Sequence, residues 1–340
     1  MKAAFTICSN NYLAKALVTA ETFKAKHPDY LFFIFLVDMF IAEVSYENFD
    51  DLKVIAIKDV VANIEELAEK YNIIELNTAV KPSVFTFLFN NYDFSHILFL
   101  DPDLMIFDRF NEVEDLFYKE GFSIIITPHG CSPIDDGRVP SEIDLSMYGL
   151  YNLGFLALKK SLETERFLDF WHNRLMKYCY INVERGMFTD QLWVNYAPIY
   201  FDGVLIFKHL GYNVANWNLY ERQIERIDEV YKVNRIIKLK FFHFSHYKFE
   251  NPYIISTQQN RHVIEEFEDL RTIIDIYQEK LIFYNHEFYN KIPCYYQLLH
   301  EKFNKVVKTP NEGFVDVLRK VKNKTIDMTR RLISLPLKNH

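Results

Sequence analysis

The sequence predicts an α/β protein: a mainly parallel central sheet flanked by helices, with a helical C-terminal extension. Three observations predict it. From Ala3 to Thr127, short apolar runs that fit buried strands alternate with stretches of helical period. Asp38, Asp101 and Asp103 stand at the ends of such runs, where open parallel sheets gather ligands. The chain has 340 residues, 49% hydrophobic and 25% charged, which suits one large α/β body with an appendage.

The elements follow in order. Ala3 to Cys8 reads as a strand, and Tyr12 to Lys26 as a helix with Leu13, Ala16, Leu17, Ala20 and Phe23 on one face. His27-Pro28-Asp29 stops that helix. Tyr30 to Val37 is an unbroken apolar run closing on Asp38, as in a buried parallel strand. Lys53 to Ile57 is a further strand and Val60 to Tyr71 a helix. Lys81-Pro82 suits the first turn of a helix through Val84 to Phe89. His96 to Leu100 is a buried strand running into Asp101-Pro102-Asp103, and Ile124 to Thr127 is another.

Pro128 to Leu150 is rich in Gly, Pro, Ser and Asp and has no period, so it reads as a long functional loop. Tyr151 to Leu158 returns to strand, and Phe167, Phe170, Trp171 and Leu175 mark a helix. Asp190 to Tyr196 is a short helix capped by Thr189 or Asp190. Ile236 to Phe244 is a strand. From about Asn260 the chain is helical and increasingly basic.

Composition excludes several classes. No apolar run approaches the roughly 20 residues a bilayer crossing needs. The N-terminus carries no signal-peptide cleavage pattern, so a cytoplasmic chain is expected. Cys8, Cys131, Cys179 and Cys294 are scattered, against a disulfide framework or a zinc site. Net charge is −7, yet Lys302 to His340 holds ten Lys/Arg against three Asp/Glu, which leaves −14 on the rest. An acidic body with basic residues confined to one end speaks against nucleic acid as a partner. In that tail Val306, Val307, Phe314, Val317, Leu318, Val321, Ile326, Leu332 and Ile333 are interleaved with Lys and Arg. A basic amphipathic helix of this kind lies on anionic membrane surfaces; a solvated helix or a disordered tail has the same composition.

Four motifs carry chemistry. In Leu100-Asp101-Pro102-Asp103, two carboxylates one residue apart at a strand end offer hard oxygen ligands for Mg²⁺ or Mn²⁺, though an Asp-Pro turn looks the same. In Phe242-His243-Phe244-Ser245-His246-Tyr247-Lys248, an imidazole at a strand end can complete a metal site, and Lys248 can neutralise a diphosphate. His243 alone reads equally as a core histidine. In Tyr151-Asn152-Leu153-Gly154-Phe155, Asn152 can hold a sugar hydroxyl and Gly154 permits close backbone approach, or marks a bulge. Thr189-Asp190-Gln191 opens a helix, as an N-cap also would. A fifth segment, Tyr212 to Leu219, offers Trp217 as an apolar face for a sugar ring and its asparagines, Asn216 among them, as amide donors and acceptors toward the donor sugar or the acceptor; a buried tryptophan in a connecting loop is the alternative.

As an ordered set, these motifs resemble the retaining glycosyltransferases of the GT-A fold, especially family 8 (glycogenin-like galactosyl- and glucosyltransferases) or a sister family. The resemblance covers about residues 1 to 250. It implies Asp101, Asp103 and His243 as metal ligands, and Cys8, Ser9, Asn10, Asn11 and Tyr12 around the nucleotide with Asp38 nearby. It puts Lys81 and Ser83 on the helix flanking the donor. Asn152, Gly154, Asp190 and Gln191 would surround the transferred sugar, and Lys248 would reach the diphosphate; for retention, either the acceptor attacks from the leaving-group face or Asp190 or Gln191 assists from the other. The pattern after His243 departs from that family's: His246 stands where Gly is usual, and Lys248 comes one residue early.

The resemblance implies a catalytic domain over residues 1–255 and a helical extension with a basic amphipathic tail over 256–340. The expected reaction moves a sugar from a UDP-sugar, with Mn²⁺ or Mg²⁺, to a glycan, lipid-linked or protein acceptor in bacterial surface glycan synthesis. The expected location is the cytoplasm, peripheral at the inner face of the membrane. A sugar-nucleotide nucleotidyltransferase would normally open with a Gly-rich loop, and Ser9-Asn10-Asn11-Tyr12 has no Gly. A non-catalytic scaffold would not need three ligands to converge on one ion.

Overall fold

A computed structural model describes residues 1–46 and 52–308, except the side chains of 306–308. Strands β1 (Lys2–Cys8), β2 (Tyr30–Leu36), β3 (Leu52–Ala56), β4 (His96–Leu100) and β5 (Leu104–Ile106) are interspersed with helices α1 (Leu13–Lys26), α2 (Ile64–Lys70), α3 (Ile73–Ala79) and α4 (Lys81–Asn91). Next come α5 (Asn111–Tyr118), β6 (Ile124–Pro128), α6 (Glu142–Tyr148), β7 (Tyr151–Lys159) and α7 (Leu162–Tyr178). A hairpin of β8 (Ile181–Asn182) and β9 (Met187–Phe188) leads to two single-turn helices, α8 (Gln191–Val194) and α9 (Ala197–Tyr200). Then follow β10 (Val204–Ile206), β11 (Val214–Ala215), the meander β12 (Ile224–Ile227), β13 (Val230–Val233) and β14 (Ile237–Lys238), and β15 (Phe241–His243). Helices α10 (Glu268–Phe283), α11 (His286–Tyr289) and α12 (Tyr295–Lys308) close the described chain.

The main sheet has seven strands in the order β10-β6-β7-β4-β1-β2-β3. Every neighbouring pair is parallel except those made by β7, which runs antiparallel to both β4 and β6. Both faces are covered, so strands such as β2 are apolar throughout. Alternate residues of β1 serve opposite faces: Phe5 and Ile7 pack with α4 and α7, while Ala4 and Cys8 pack with α1 and α5. Helix α1 is buried nearly all round, because Ala14 and Val18 meet Leu270, Ile273 and Tyr277 of α10 on its outer side.

The predicted strands of the main sheet are present, and several expectations need correction. The helix expected over Val60 to Tyr71 is only Ile64–Lys70, and a separate helix follows it, started by a capping box of Asn72 and Glu75. The expected loop Pro128 to Leu150 contains α6, started by the same device at Ser141 and Asp144. The strand expected over Ile236 to Phe244 is two strands in different sheets, broken at Leu239-Lys240. Asp190 takes the N-cap position of α8 without a capping hydrogen bond from its side chain. The basic tail beyond residue 308 lies outside the described residues.

Candidate functional site

Strand registers assemble the acidic centre. Leu100 at the end of β4 pairs with Phe155 of β7, and the Asp101 N–H donates to the Gly154 carbonyl at 2.9 Å. The chain then turns through Pro102-Asp103 into β5, which pairs antiparallel with β15 so that Leu104 faces His243. The Phe244 N–H donates to the Asp103 carbonyl at 2.8 Å, fixing His243 beside Asp103. Thr19 of α1 pins the turn: its hydroxyl contacts the carbonyls of Pro102 (2.8 Å) and Leu104 (2.9 Å) and takes the Leu104 N–H (3.0 Å).

Asp101, Asp103 and His243 each offer a ligand atom, all within 4.8 Å of one another. His243 Nε2 is 3.2 Å from Asp103 Oδ1 and 3.7 Å from Asp101 Oδ2. A Mn²⁺ or Mg²⁺ bound at about 2.1 Å holds adjacent ligands roughly 3 Å apart, so two carboxylates and an imidazole at these separations fit such an ion. The imidazole is buried, while Asp101 and Asp103 keep 27% and 15% of their side-chain surface open to solvent. Burial opposes ionisation of Asp103, but the neighbouring His243 outweighs it and holds the carboxyl below its ordinary range. The same pairing raises His243 against burial. Burial raises Asp101, only partly countered by Lys81 and His243.

Lys81, at the start of α4, is fully enclosed. Its Nζ lies 2.8 Å from Asp190 Oδ2, 3.8 Å from Asp101 Oδ1 and 3.2 Å from the Leu153 carbonyl, above the Phe99 ring. Burial favours the neutral amine, but Asp190 and Asp101 outweigh it and keep the charge. Lys81 thus ties the metal-type cluster to Asp190.

Beyond Asp101 lies a polar wall. Asn152 Oδ1 accepts from the Gly154 N–H (2.9 Å) and from Asn213 Nδ2 (2.9 Å); its Nδ2 faces His129 Nε2 (3.2 Å) and Gln191 Oε1 (3.5 Å). Gln191 Nε2 donates to the Tyr148 carbonyl (3.0 Å). A Cβ on Gly154 would fall 2.6 Å from His243 Cε1, so only glycine lets the imidazole approach the strand. Trp217 is buried with its ring edge-on to both His243 (5.2 Å) and His129 (5.4 Å), and Asn216 Nδ2 donates to the Ser245 carbonyl (3.2 Å). Trp217 therefore backs the imidazole rather than offering a free face.

The remaining predicted residues divide. Tyr12 is partly exposed and within the field of Asp103. Lys248 is exposed and shares the Asp103 side with Lys15. Cys8, Ser9 and Asn10 are buried. Asn10 donates from Nδ2 to the Met39 carbonyl (2.9 Å) and accepts from the Tyr46 hydroxyl, and Asn11 Oδ1 accepts from the Ser9 hydroxyl. Asp38 accepts from the N–H groups of Asn10 (3.1 Å), Met39 (3.0 Å) and Tyr295 (2.8 Å), so both its oxygens are engaged within the fold. Ser83 does not join the cluster; its hydroxyl meets His172 of α7 at 3.2 Å.

Sequence reasoning missed Lys15 and His129 here, and met Asn213 only as one amide of the Tyr212 to Leu219 segment. Lys15 is 8% exposed, lies over the Tyr12 ring at 4.5 Å and adds positive charge beside Asp103; it reads as a solvated position until α10 and α11 are seen to cover α1. Asn213 bridges Asn152 and His243, and His129 completes the wall. A left-handed Asn is a recognisable turn signal, but its partners are remote in sequence.

No family model matches the chain. Over 202 residues it is 25% identical to the uncharacterized protein YfnF of Bacillus subtilis (strain 168), a match covering 56% of this chain and 61% of that protein. Over 173 residues it is 27% identical to the uncharacterized protein YfnD of the same organism, covering 49% of this chain and 51% of that one. The chain therefore matches less than two thirds of the length of either relative. Among solved structures it is similar to the galactosyltransferase LgtC in complex with donor and acceptor sugar analogues, at 15% identity and a TM-score of 0.48, covering 83% of this chain and 95% of that one.

Proposed function

We propose that the chain is a cation-dependent glycosyltransferase of the GT-A, family 8-like type. It moves a sugar from a nucleoside-diphosphate sugar, UDP-sugar first, to an acceptor hydroxyl with retention. The observation that carries this reading is the meeting of Asp101, Asp103 and His243 at ion-ligand separations beside Asp190 and the amides of Asn152 and Gln191.

Mn²⁺ or Mg²⁺ held by Asp101, Asp103 and His243 would neutralise the charge that develops on the departing diphosphate. Lys15 and Lys248, near one another on the Asp103 side, would offer their amino groups to phosphate oxygens there. Asp190, paired with Lys81 at 2.8 Å, would stabilise positive character at the anomeric carbon. Asn152 and Gln191 carry amides suited to sugar hydroxyls. In this reading residues 1–255 form the catalytic unit, and 256–340 an extension whose basic tail meets an anionic membrane. Acceptors would be glycan, lipid-linked or protein hydroxyls. No helix among the described residues is long and apolar enough to cross a membrane.

A donor screen tests the reading: UDP-, GDP- and ADP-sugars with Mn²⁺, read as released nucleoside diphosphate. Release from one class, abolished by EDTA and by Asp103→Ala in a protein that keeps its melting transition, is the expected outcome. Full activity in excess EDTA would overturn the metal role, and no release from any donor would overturn the enzyme.

A further inference from the structure

We infer that Asn213 is a positioning residue that fixes which nitrogen of His243 faces the ion, and that a backbone N–H sets its orientation. This rests on the metal reading above.

One donor in this network, the Gly154 backbone N–H, cannot reverse. The Gly154 N–H points at the Asn152 side chain at 2.9 Å, so the atom it meets must be the amide oxygen. That choice puts the Asn152 amide nitrogen toward His129 Nε2. It also gives Asn213 an oxygen as its partner at 2.9 Å, so the group of Asn213 facing Asn152 must be its NH₂. The same NH₂ lies 3.1 Å from Thr127 Oγ1, a second acceptor. The Asn213 oxygen is then left facing His243 Nδ1 at 3.1 Å. An oxygen at that distance requires Nδ1–H. With one ring proton held at Nδ1, Nε2 is the nitrogen left to face Asp101 and Asp103, and it would give up its proton to present a lone pair to an ion bound there, as a metal ligand needs.

Each link is buried: Asn213 is 0% exposed, His243 4% and Asn152 8%. Asn213 itself sits at φ +54°, a left-handed conformation that Asn tolerates better than most residues. Asn218 holds that backbone by donating from Nδ2 to the Asn213 carbonyl at 3.0 Å. The chain of hydrogen bonds therefore joins the sugar-side amide of Asn152 to the metal-side imidazole in one direction only.

The test uses the full-length protein with UDP and Mn²⁺, and measures Mn²⁺ affinity by electron paramagnetic resonance, without turnover. Asn213→Gly deletes the side chain and keeps the left-handed backbone; it should weaken Mn²⁺ binding about 10- to 100-fold. Asn213→Asp keeps an oxygen toward Nδ1–H and loses the donor toward Asn152; it should bind within about threefold of the unchanged protein, on the same ion-positioning argument. In ¹⁵N-histidine-labelled protein loaded with Mg²⁺ and UDP, His243 should show a protonated Nδ1 and a metal-bound Nε2. Equal affinity in Asn213→Gly, equal loss in both variants, or a protonated Nε2 in the loaded protein would overturn the inference. Failure of the unchanged protein to bind Mn²⁺ would sink the metal reading and this inference together. Binding with no donor cleaved would sink the transferase reading alone.

Discussion

At the scale of single residues, the site depends on two positions that carry no ligand. Gly154 leaves the volume that the His243 imidazole fills, with Cε1 2.6 Å from where a Cβ would stand. Gly154→Ala should cost about 1–3 kcal/mol of stability through overpacking. It should also lower Mn²⁺ affinity about tenfold or more, because the displaced ring no longer faces both carboxylates; chemical unfolding and metal titration of the same sample check both. Lys81 is the second position. Replacing it by Met leaves Asp190 buried without its cation, and losing one partner of a buried pair costs about 3 kcal/mol or more. A Lys81→Met protein as stable as the parent would show that Asp190 has another partner. The acidic ligands were legible in the sequence because Asp-x-Asp after a buried strand is a local pattern. Asn213 was legible only as one amide among several in its segment, since its partners Asn152 and His243 are brought to it by packing.

At the scale of elements, Asp38 shows how a strand-end acid organises a fold. Its carboxylate takes N–H groups from the turn after β1, from the turn after β2 and from the first residue of α12. Asp38→Ala frees three backbone donors and should destabilise the protein by about 3 kcal/mol, seen as a lower midpoint in urea. A change confined to catalysis, with the midpoint unmoved, would instead favour a ligand-binding Asp38. The sequence identified the position but not the duty, because a carboxylate at a strand end suits either. Orientation was equally hidden in β7: an apolar run reports burial on both faces and says nothing of direction. The start of α6 was readable, since Ser141-Glu142-Ile143-Asp144 is a capping box inside a stretch whose composition otherwise suggested loop.

At the scale of the whole molecule, pH dependence follows from buried imidazoles. Burial depresses His27, His96 and His129 to about 4. His27 shows why: Nδ1 contacts the Phe23 carbonyl and Nε2 accepts the Phe110 N–H, so the neutral ring is the one the fold can use. Unfolded histidine takes its proton near pH 6.5, and these folded ones only near pH 4. The unfolded state therefore binds more protons between those values. Stability is fully present above about pH 6.5 and falls as pH drops toward 4, by about 1–3 kcal/mol per ring. His243, raised by Asp103, works in the opposite sense, but it is one ring against three. Thermal melts at pH 7, 5.5 and 4.5 check this; a flat profile would contradict it.

The reversed strand β7 sets a dimension of the molecule. Because the Gly154 carbonyl takes the Asp101 N–H and the Gly154 N–H donates to Asn152 Oδ1, the acid that would hold the cation and the amide that would hold the sugar are both tied to one residue of β7. The two hydrogen bonds to Gly154 hold their spacing. In the proposed transferase, accommodation to sugars of different size would fall to the neighbouring part of the polar wall, where α6 and α8 approach one another through Gln191 and the Tyr148 carbonyl. In that proposed enzyme, donor selectivity would be re-engineered at Gln191, with the ties to Gly154 left untouched.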